Sequence, residues 1–262
     1  MTVATVESPR SISIRPLAVP NEHGGWSFLL EPIVLALVVA PSLAGGLLAV
    51  AAVLAFLTRH PLKLAAQDFM RGRRLPRTRA CEWIAAGYGI AASGSMLMAI
   101  IVGGAWPLSP LAVGLLFAAL QFRLDVRGKG RTLLAELCGA CGAATVATAI
   151  AAAAKAPWPL AASLAVLAAA RGLPSTMFVR SLRRRQGAAW TIVAHIVALQ
   201  CAAALWRLEI APITAVVAMT LLLLRATVGL RRESPRAMTI GLQEVGWGVA
   251  VVALIAGGYI LR

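Results

Sequence analysis

Residues 157–185 read PWPLAASLAVLAAARGLPSTMFVRSLRRR. No charged side chain occurs from Pro157 to Ala170, and the stretch closes on Arg180, Arg183, Arg184 and Arg185. An apolar run crosses a bilayer when it holds about 20 residues. Arginines gathered at one end of such a run keep that end in the cytoplasm. The stretch also contains one anomaly, since Arg171 lies inside the apolar run rather than beyond it. Working outward, nine apolar stretches occur near 24–40, 43–59, 82–103, 108–122, 133–154, 157–179, 188–206, 211–229 and 239–261. Over the 262 residues, 60% are hydrophobic and only 13% charged, against roughly a quarter charged in a soluble domain. This excludes a soluble enzyme or a disordered chain. The pattern predicts an all-α integral membrane protein of about nine transmembrane helices, built as a single polytopic domain over 1–262.

The basic residues give the orientation. Arg10 and Arg15 precede the first span, and Arg59, Lys63, Arg71, Arg73, Arg74, Arg77 and Arg79 follow the second. Further groups surround Arg123–Arg131, Arg171–Arg185 and Arg225–Arg236, so that 22 of the 25 Lys and Arg fall on one side. The other side receives Lys155, Arg207 and Arg262. By the positive-inside rule the N-terminus is cytoplasmic and the C-terminus outside. Residues 1–22 are polar, without an apolar core, and are expected to form a cytoplasmic segment rather than a cleavable signal. The expected location is the cytoplasmic membrane. Orientation and contact with anionic lipid headgroups account for the net charge of +15, so nucleic acid is not an expected partner.

The four cysteines predict neither a disulfide framework nor a zinc site. Cys138 and Cys141 lie in a span as Glu-Leu-Cys-Gly-Ala-Cys-Gly, where small residues three and four apart form a packing face. Cys81 and Cys201 read as ordinary membrane residues. Trp26, Trp83, Trp190 and Trp247 are expected at the inner interface, with Trp106, Trp158 and Trp206 at the outer.

Charged groups inside spans are rare and costly, so each is a functional candidate. Glu31 lies two turns into the first span, Glu136 in the first turn of the fifth, and Gln243 and Glu244 open the ninth. Gln121, Arg171, His195 and Arg225 fall at a similar depth toward the cytoplasm. Two readings stay open: a water-accessible cavity walled by acids and bases, or structural ion pairs such as Glu31 or Glu136 with Arg171. In the second connection Pro61 disfavours helix at His60, so the second helix is expected to break there. A helix resuming at Pro61 stacks Lys63 beside Gln67, with Asp68 one turn from Arg71. Arg180 and Arg184 stand a turn apart, a spacing that can grip a phosphate through charge-assisted hydrogen bonds.

Pro20-Asn21-Glu22-His23-Gly24-Gly25-Trp26, opening the first span, resembles the start of the YwiC-like membrane proteins. Arg59-His60-Pro61-Leu62-Lys63, the Glu136 segment and Gly241-x-x-Glu244 fit the same resemblance. The layout is also similar to the UbiA superfamily of intramembrane prenyltransferases. That resemblance implies nine helices, a cytoplasm-side cavity and acidic motifs after the second and sixth helices. Where those enzymes carry N-x-x-x-D-x-x-x-D, this chain has Arg59, Lys63 and Gln67, and their second motif is replaced by Arg180 and Arg184. The aspartates there hold Mg²⁺ against a diphosphate. Without them no metal site and no cofactor is expected, Mg²⁺ included.

The resulting expectation is a UbiA-like bundle whose cytoplasmic cavity takes an anionic amphiphile, such as an isoprenoid phosphate or a phospholipid. His23, Lys63, Asp68, Arg71, Arg171, Arg180 and Arg184 are the candidate substrate-binding residues, and Glu31, Glu136 and Glu244 the candidate acid/base groups. Transfer of a prenyl group, transport, and non-catalytic scaffolding remain alternatives. Membrane lipids are the expected surroundings.

Overall fold

The computed structural model describes residues 14–20, 23–232 and 236–262. Among them the chain is helical, with no strand: a one-turn helix α1 (Arg15–Ala18) is followed by α2 (His23–Val39), α3 (Leu43–Met70), α4 (Pro76–Gly103), α5 (Leu108–Val126), α6 (Leu133–Ala153), α7 (Trp158–Arg184), α8 (Ala188–Arg207), α9 (Ile213–Gly229) and α10 (Ala237–Ile260). The long helices α2–α10 correspond one to one with the nine apolar stretches. Seven are long and apolar enough to cross a membrane, while α2 and α9 are shorter apolar helices of 17 residues each. At about 1.5 Å per residue those two span roughly 26 Å, slightly less than the hydrocarbon core. The protein is a multi-pass membrane protein.

Local chemistry sets several helix starts. The Ser42 hydroxyl accepts from Gly45 N at 2.9 Å and caps α3, and Thr132 caps α6 by accepting from Ala135 N. Pro76 and Pro159 occupy first-turn positions, where no N–H is needed. The α3–α4 turn passes through Gly72 at φ +64°, a left-handed backbone that glycine adopts without strain.

One expectation is corrected: α3 does not break at His60 but continues through Pro61 to Met70. A proline inside a helix removes one backbone hydrogen bond, a loss that neighbouring packing absorbs in a bundle. Here Pro61 is buried, α4 packs along α3, and the His60 ring bonds to the Pro16 carbonyl of α1 at 3.1 Å.

Helices α6 and α7 form the axis. α6 touches α2, α3, α5 and α7, while α7 is flanked by α2, α6, α8, α9 and α10. Both are rich in alanine and are the most buried helices, so their small side chains let neighbours approach closely. The Cys138–Gly142 stretch of α6 behaves as that packing face: a side chain at Gly139 would meet Gln121 of α5. All four cysteines are unpaired. Leu115, Leu116, Ile90 and Trp83 point outward on α4 and α5, as a lipid-facing surface requires.

The connections alternate between two ends. At one end Trp106 and Trp158 stack edge to face at 6.1 Å, and Gly103 packs against Ala44 and Ala153. The opposite end gathers the α3–α4, α5–α6, α7–α8 and α9–α10 connections and nearly all the arginines. Among the described residues the exceptions are Arg171 and Arg225, within the bundle, and Arg207 and Arg262, at the first end.

Candidate functional site

Four charged side chains from four helices meet inside the bundle. The Arg171 guanidinium on α7 is 4% exposed and reaches two carboxylates. Its Nε lies 3.3 Å from Glu31 Oε2 and its Nη2 donates to Glu31 Oε1 at 3.4 Å, which ties α7 to α2. Its Nη1 donates to Glu244 Oε2 at 3.3 Å and to the Ser175 hydroxyl, and its Nη2 also donates to the Glu244 carbonyl at 3.1 Å. Arg225 on α9 donates from Nη2 to Glu244 Oε1 at 2.6 Å. Its guanidinium carbon sits 4.4 Å from the Phe178 ring centroid and 5.5 Å from that of Trp247, close enough for cation–π attraction. Two positive and two negative charges are thus held together where a single charge would be expensive.

Glycine makes this contact geometrically possible. A Cβ on Gly248 of α10 would collide with the Glu31 carboxylate. Beside the cluster lies a cavity of about 20 Å³, walled by Phe28, Pro32, Leu35, Leu167, Val251 and Ile255, with Glu31 and Arg171 as its charged lining. A space of that size holds one water molecule. The charges therefore close on one another instead of lining the open, water-filled cavity expected of unpaired groups. The ion-pair reading holds for Glu31 with Arg171, while Glu136 pairs elsewhere. His195 stands beyond Phe178, with ring centroids 6.4 Å apart, and its Nδ1 bonds to the Thr191 carbonyl at 2.8 Å.

The basic end carries a second set of pairs. Arg59 on α3 donates from Nε to Asp125 Oδ2 on α5 at 2.6 Å, and Asp125 is 1% exposed. Gln67 donates to the Asp125 carbonyl at 3.1 Å, and a side chain at Gly130 would collide with the carboxylate. Asp68 at the end of α3 is clasped across the turn by Arg77, with Nη2 to Oδ1 at 2.7 Å and Nε to Oδ2 at 3.1 Å. Thr78 adds a third bond at 2.8 Å. Asp68 therefore bonds to Arg77 rather than Arg71, and its two oxygens are occupied. Glu136 on α6 accepts from Arg180 on α7 at 2.9 Å, and Arg180 also reaches the Arg131 carbonyl at 3.0 Å.

Near the start of α2 the two stretches of the YwiC-like resemblance converge. Trp26 stacks edge to face on Phe56 at 5.1 Å, and Gly25 lies against the same ring. Pro20, Phe56, Arg59, His60 and Lys63 then line a shallow, half-open cleft of about 10 Å³. Lys63 makes no ion pair or side-chain hydrogen bond among the described residues.

The candidates thus fall into separate places. Glu31, Glu244 and Arg171 come together in the interior, Glu136 and Arg180 pair at the basic end, and Lys63 lies in the cleft. Arg71 and Arg184 are exposed, and Lys63 and Arg184 sit on α3 and α7, which both pack against α6. The His23 side chain lies outside the described residues. Among the described residues, no three His, Cys, Asp or Glu side chains lie close enough to hold a metal ion.

Sequence reasoning missed Asp125, Ser175 and Gly248. Asp125 carried a usable signal, because an acid inside a strongly basic segment of a chain with ten acids has a nearby cation to answer. Gly248 stands four residues, about one turn, after Glu244 on α10, but its partner Glu31 is far away in sequence and left no trace.

The family model described as YwiC-like protein matches residues 19–152 of this chain, a segment that holds Glu31, the cleft and both of its motifs. No curated protein and no solved structure matches the chain. The chain belongs to the YwiC-like family.

Proposed function

We propose that this protein binds the phosphate-bearing head of an anionic amphiphile, an isoprenoid phosphate or a phospholipid, on the cytoplasmic side of the cell membrane. The observation that carries this reading is the cleft of Pro20, Phe56, Arg59, His60 and Lys63. Its charge is unbalanced: Asp125 answers Arg59, while Lys63 has no acidic partner among the described residues. A lysine of this kind is a mobile point charge suited to a phosphate oxygen, and His60 stands one turn away on α3. Phe56 and the outward apolar faces of α3 and α4 offer a path for a hydrocarbon tail.

The resemblance to UbiA-type prenyltransferases supports this reading, because those enzymes carry a diphosphate-binding motif where this chain has Arg59 and Lys63. This chain brings cations where those enzymes bring metal-binding aspartates, so the reading is direct, metal-free recognition. If prenyl or similar transfer follows, Glu31 and Glu244 are the acid/base candidates deeper in the bundle, and Glu136 the candidate nearest the basic end. Arg71, Arg180 and Arg184 then contribute to the attraction of the anion rather than to its primary contact.

The test is thermal unfolding of the purified protein with farnesyl diphosphate, in Mg²⁺ and then in EDTA. A ligand that binds only the folded state raises the melting temperature. The expected result is a rise that survives EDTA and is lost in Lys63→Ala. No rise in either condition overturns the proposal, and a rise that requires Mg²⁺ overturns its metal-free form.

A further inference from the structure

Glu31 and Glu244 share Arg171 on unequal terms. Glu244 is held by two cations on different helices, Arg225 at 2.6 Å and Arg171 at 3.3 Å. Glu31 has Arg171 alone, at 3.3 and 3.4 Å, and that guanidinium is already engaged with the second carboxylate. Arg225 and Glu244 of the same cluster also act on Glu31 through space, and its other neighbours supply no charge. α6 presents Ala140 to the shared cavity, and α10 presents Gly248, Val251 and Val252. α3 meets the start of α2 through Phe56, and its nearby Arg59 is committed to Asp125. Glu136 of α6 is engaged by Arg180, Cys138 and Cys141 do not line the cavity, and His195 of α8 is bonded to Thr191.

The cavity of about 20 Å³ touches both Glu31 and Arg171 and has room for one water. Arg171 Nε is buried, has no well-formed hydrogen bond, and belongs to a side chain lining that cavity. Pro32, on the same wall, has no N–H to give the Phe28 carbonyl, which leaves a backbone acceptor without its helical donor. A proton donor and acceptor of molecular size thus has partners there.

We propose that Glu31 is a proton switch: on taking up a proton its carboxylate releases Arg171, which remains with Glu244, and α2 loses its ionic tie to α7. The proton comes from solvent by way of cavity water to a Glu31 carboxylate oxygen, and no other bond forms or breaks. With all four groups ionised the cluster is neutral; with Glu31 protonated it carries one positive charge shared around Glu244. Glu244 keeps both of its guanidinium partners, Arg171 and Arg225, when Glu31 lets go. Gly248 is the positioning residue, since only a bare Cα lets Glu31 lie against α10 and still reach α7.

The experiment measures the distance between spin labels at Val34→Cys on α2 and Val166→Cys on α7, both exposed sites. The full chain, with its native cysteines replaced, is placed in lipid nanodiscs and titrated from about pH 8 to about pH 5, a range in which an ordinary glutamate near 4.3 stays largely ionised. The expected result is a second distance population that grows as pH falls. Glu31→Gln should show that population at every pH, while Glu136→Gln should titrate like the parent. Gly248→Ala, which keeps every carboxylate, should favour the same population already at the alkaline end. A parent distribution that ignores pH overturns the proposal. So does a pH response that persists in Glu31→Gln.

Discussion

The bundle treats charge in two ways, and the contrast lies between its basic end and its interior. At the basic end each acid meets one guanidinium: Asp125 with Arg59, Asp68 with Arg77, and Glu136 with Arg180. These pairs join α3 to α5, α3 to α4 and α6 to α7, helices that already pack together. In the interior, two arginines and two glutamates from α2, α7, α9 and α10 form one shared cluster. At the basic end each guanidinium still reaches water, so one pair can be lost without stranding a member of another. In the interior each partner's charge is tolerable only because of the others, so the cluster acts as a unit.

The sharpest break of this contrast is Arg171→Met. It strands Glu31 and leaves Glu244 with Arg225 alone, and removing one partner of a buried pair costs about 3–5 kcal/mol. Unfolding in bicelles should show that loss, and a cost comparable to a surface pair would contradict the cluster's unity. Asp125→Ala comes next, because it leaves Arg59 without its buried acceptor at a cost of about 1–3 kcal/mol. Gly248→Ala should cost a similar amount, about 1–3 kcal/mol, through overpacking against Glu31; a neutral result would mean that the α2–α10 approach is looser than described. Arg180→Ala removes a partly exposed pair and should cost less than about 1 kcal/mol. Lys63→Ala should change stability by no more than about 0.5 kcal/mol.

Much of this architecture was legible in the sequence, for a physical reason. Bilayer thickness fixes helix length and leaflet charge fixes the basic side, so apolar runs and arginines specify nine helices and their alternation. The ends were less legible, because apolarity marks where lipid begins rather than where helix stops. Thus α3 continues to Met70 past the proline at 61, held by α4 and α1. Arg171 announced itself as a charge inside an apolar run, and its pairing with Glu31 was one of two stated possibilities. Its sharing with Glu244, the collapse of the expected open cavity, and the role of Gly248 depend on how α2 and α10 pack, which no local pattern encodes. The convergence of the Trp26 and Arg59–Lys63 stretches is of the same kind: each was visible, but their contact through Phe56 was not.

The proposed role of the cleft beside Phe56 is that of a binding site and not merely part of a positive surface. The most direct measurement is equilibrium binding of labelled farnesyl diphosphate to the protein in neutral-lipid nanodiscs, in EDTA and at fixed salt. It compares Lys63→Ala with Arg232→Ala, which removes the same charge from an exposed connection at the same end. Lys63→Ala should lose about tenfold or more, equivalent to about 1.4 kcal/mol, and Arg232→Ala should change little. Equal losses in the two variants would contradict that role, and would reduce the cleft to one more contributor to membrane orientation.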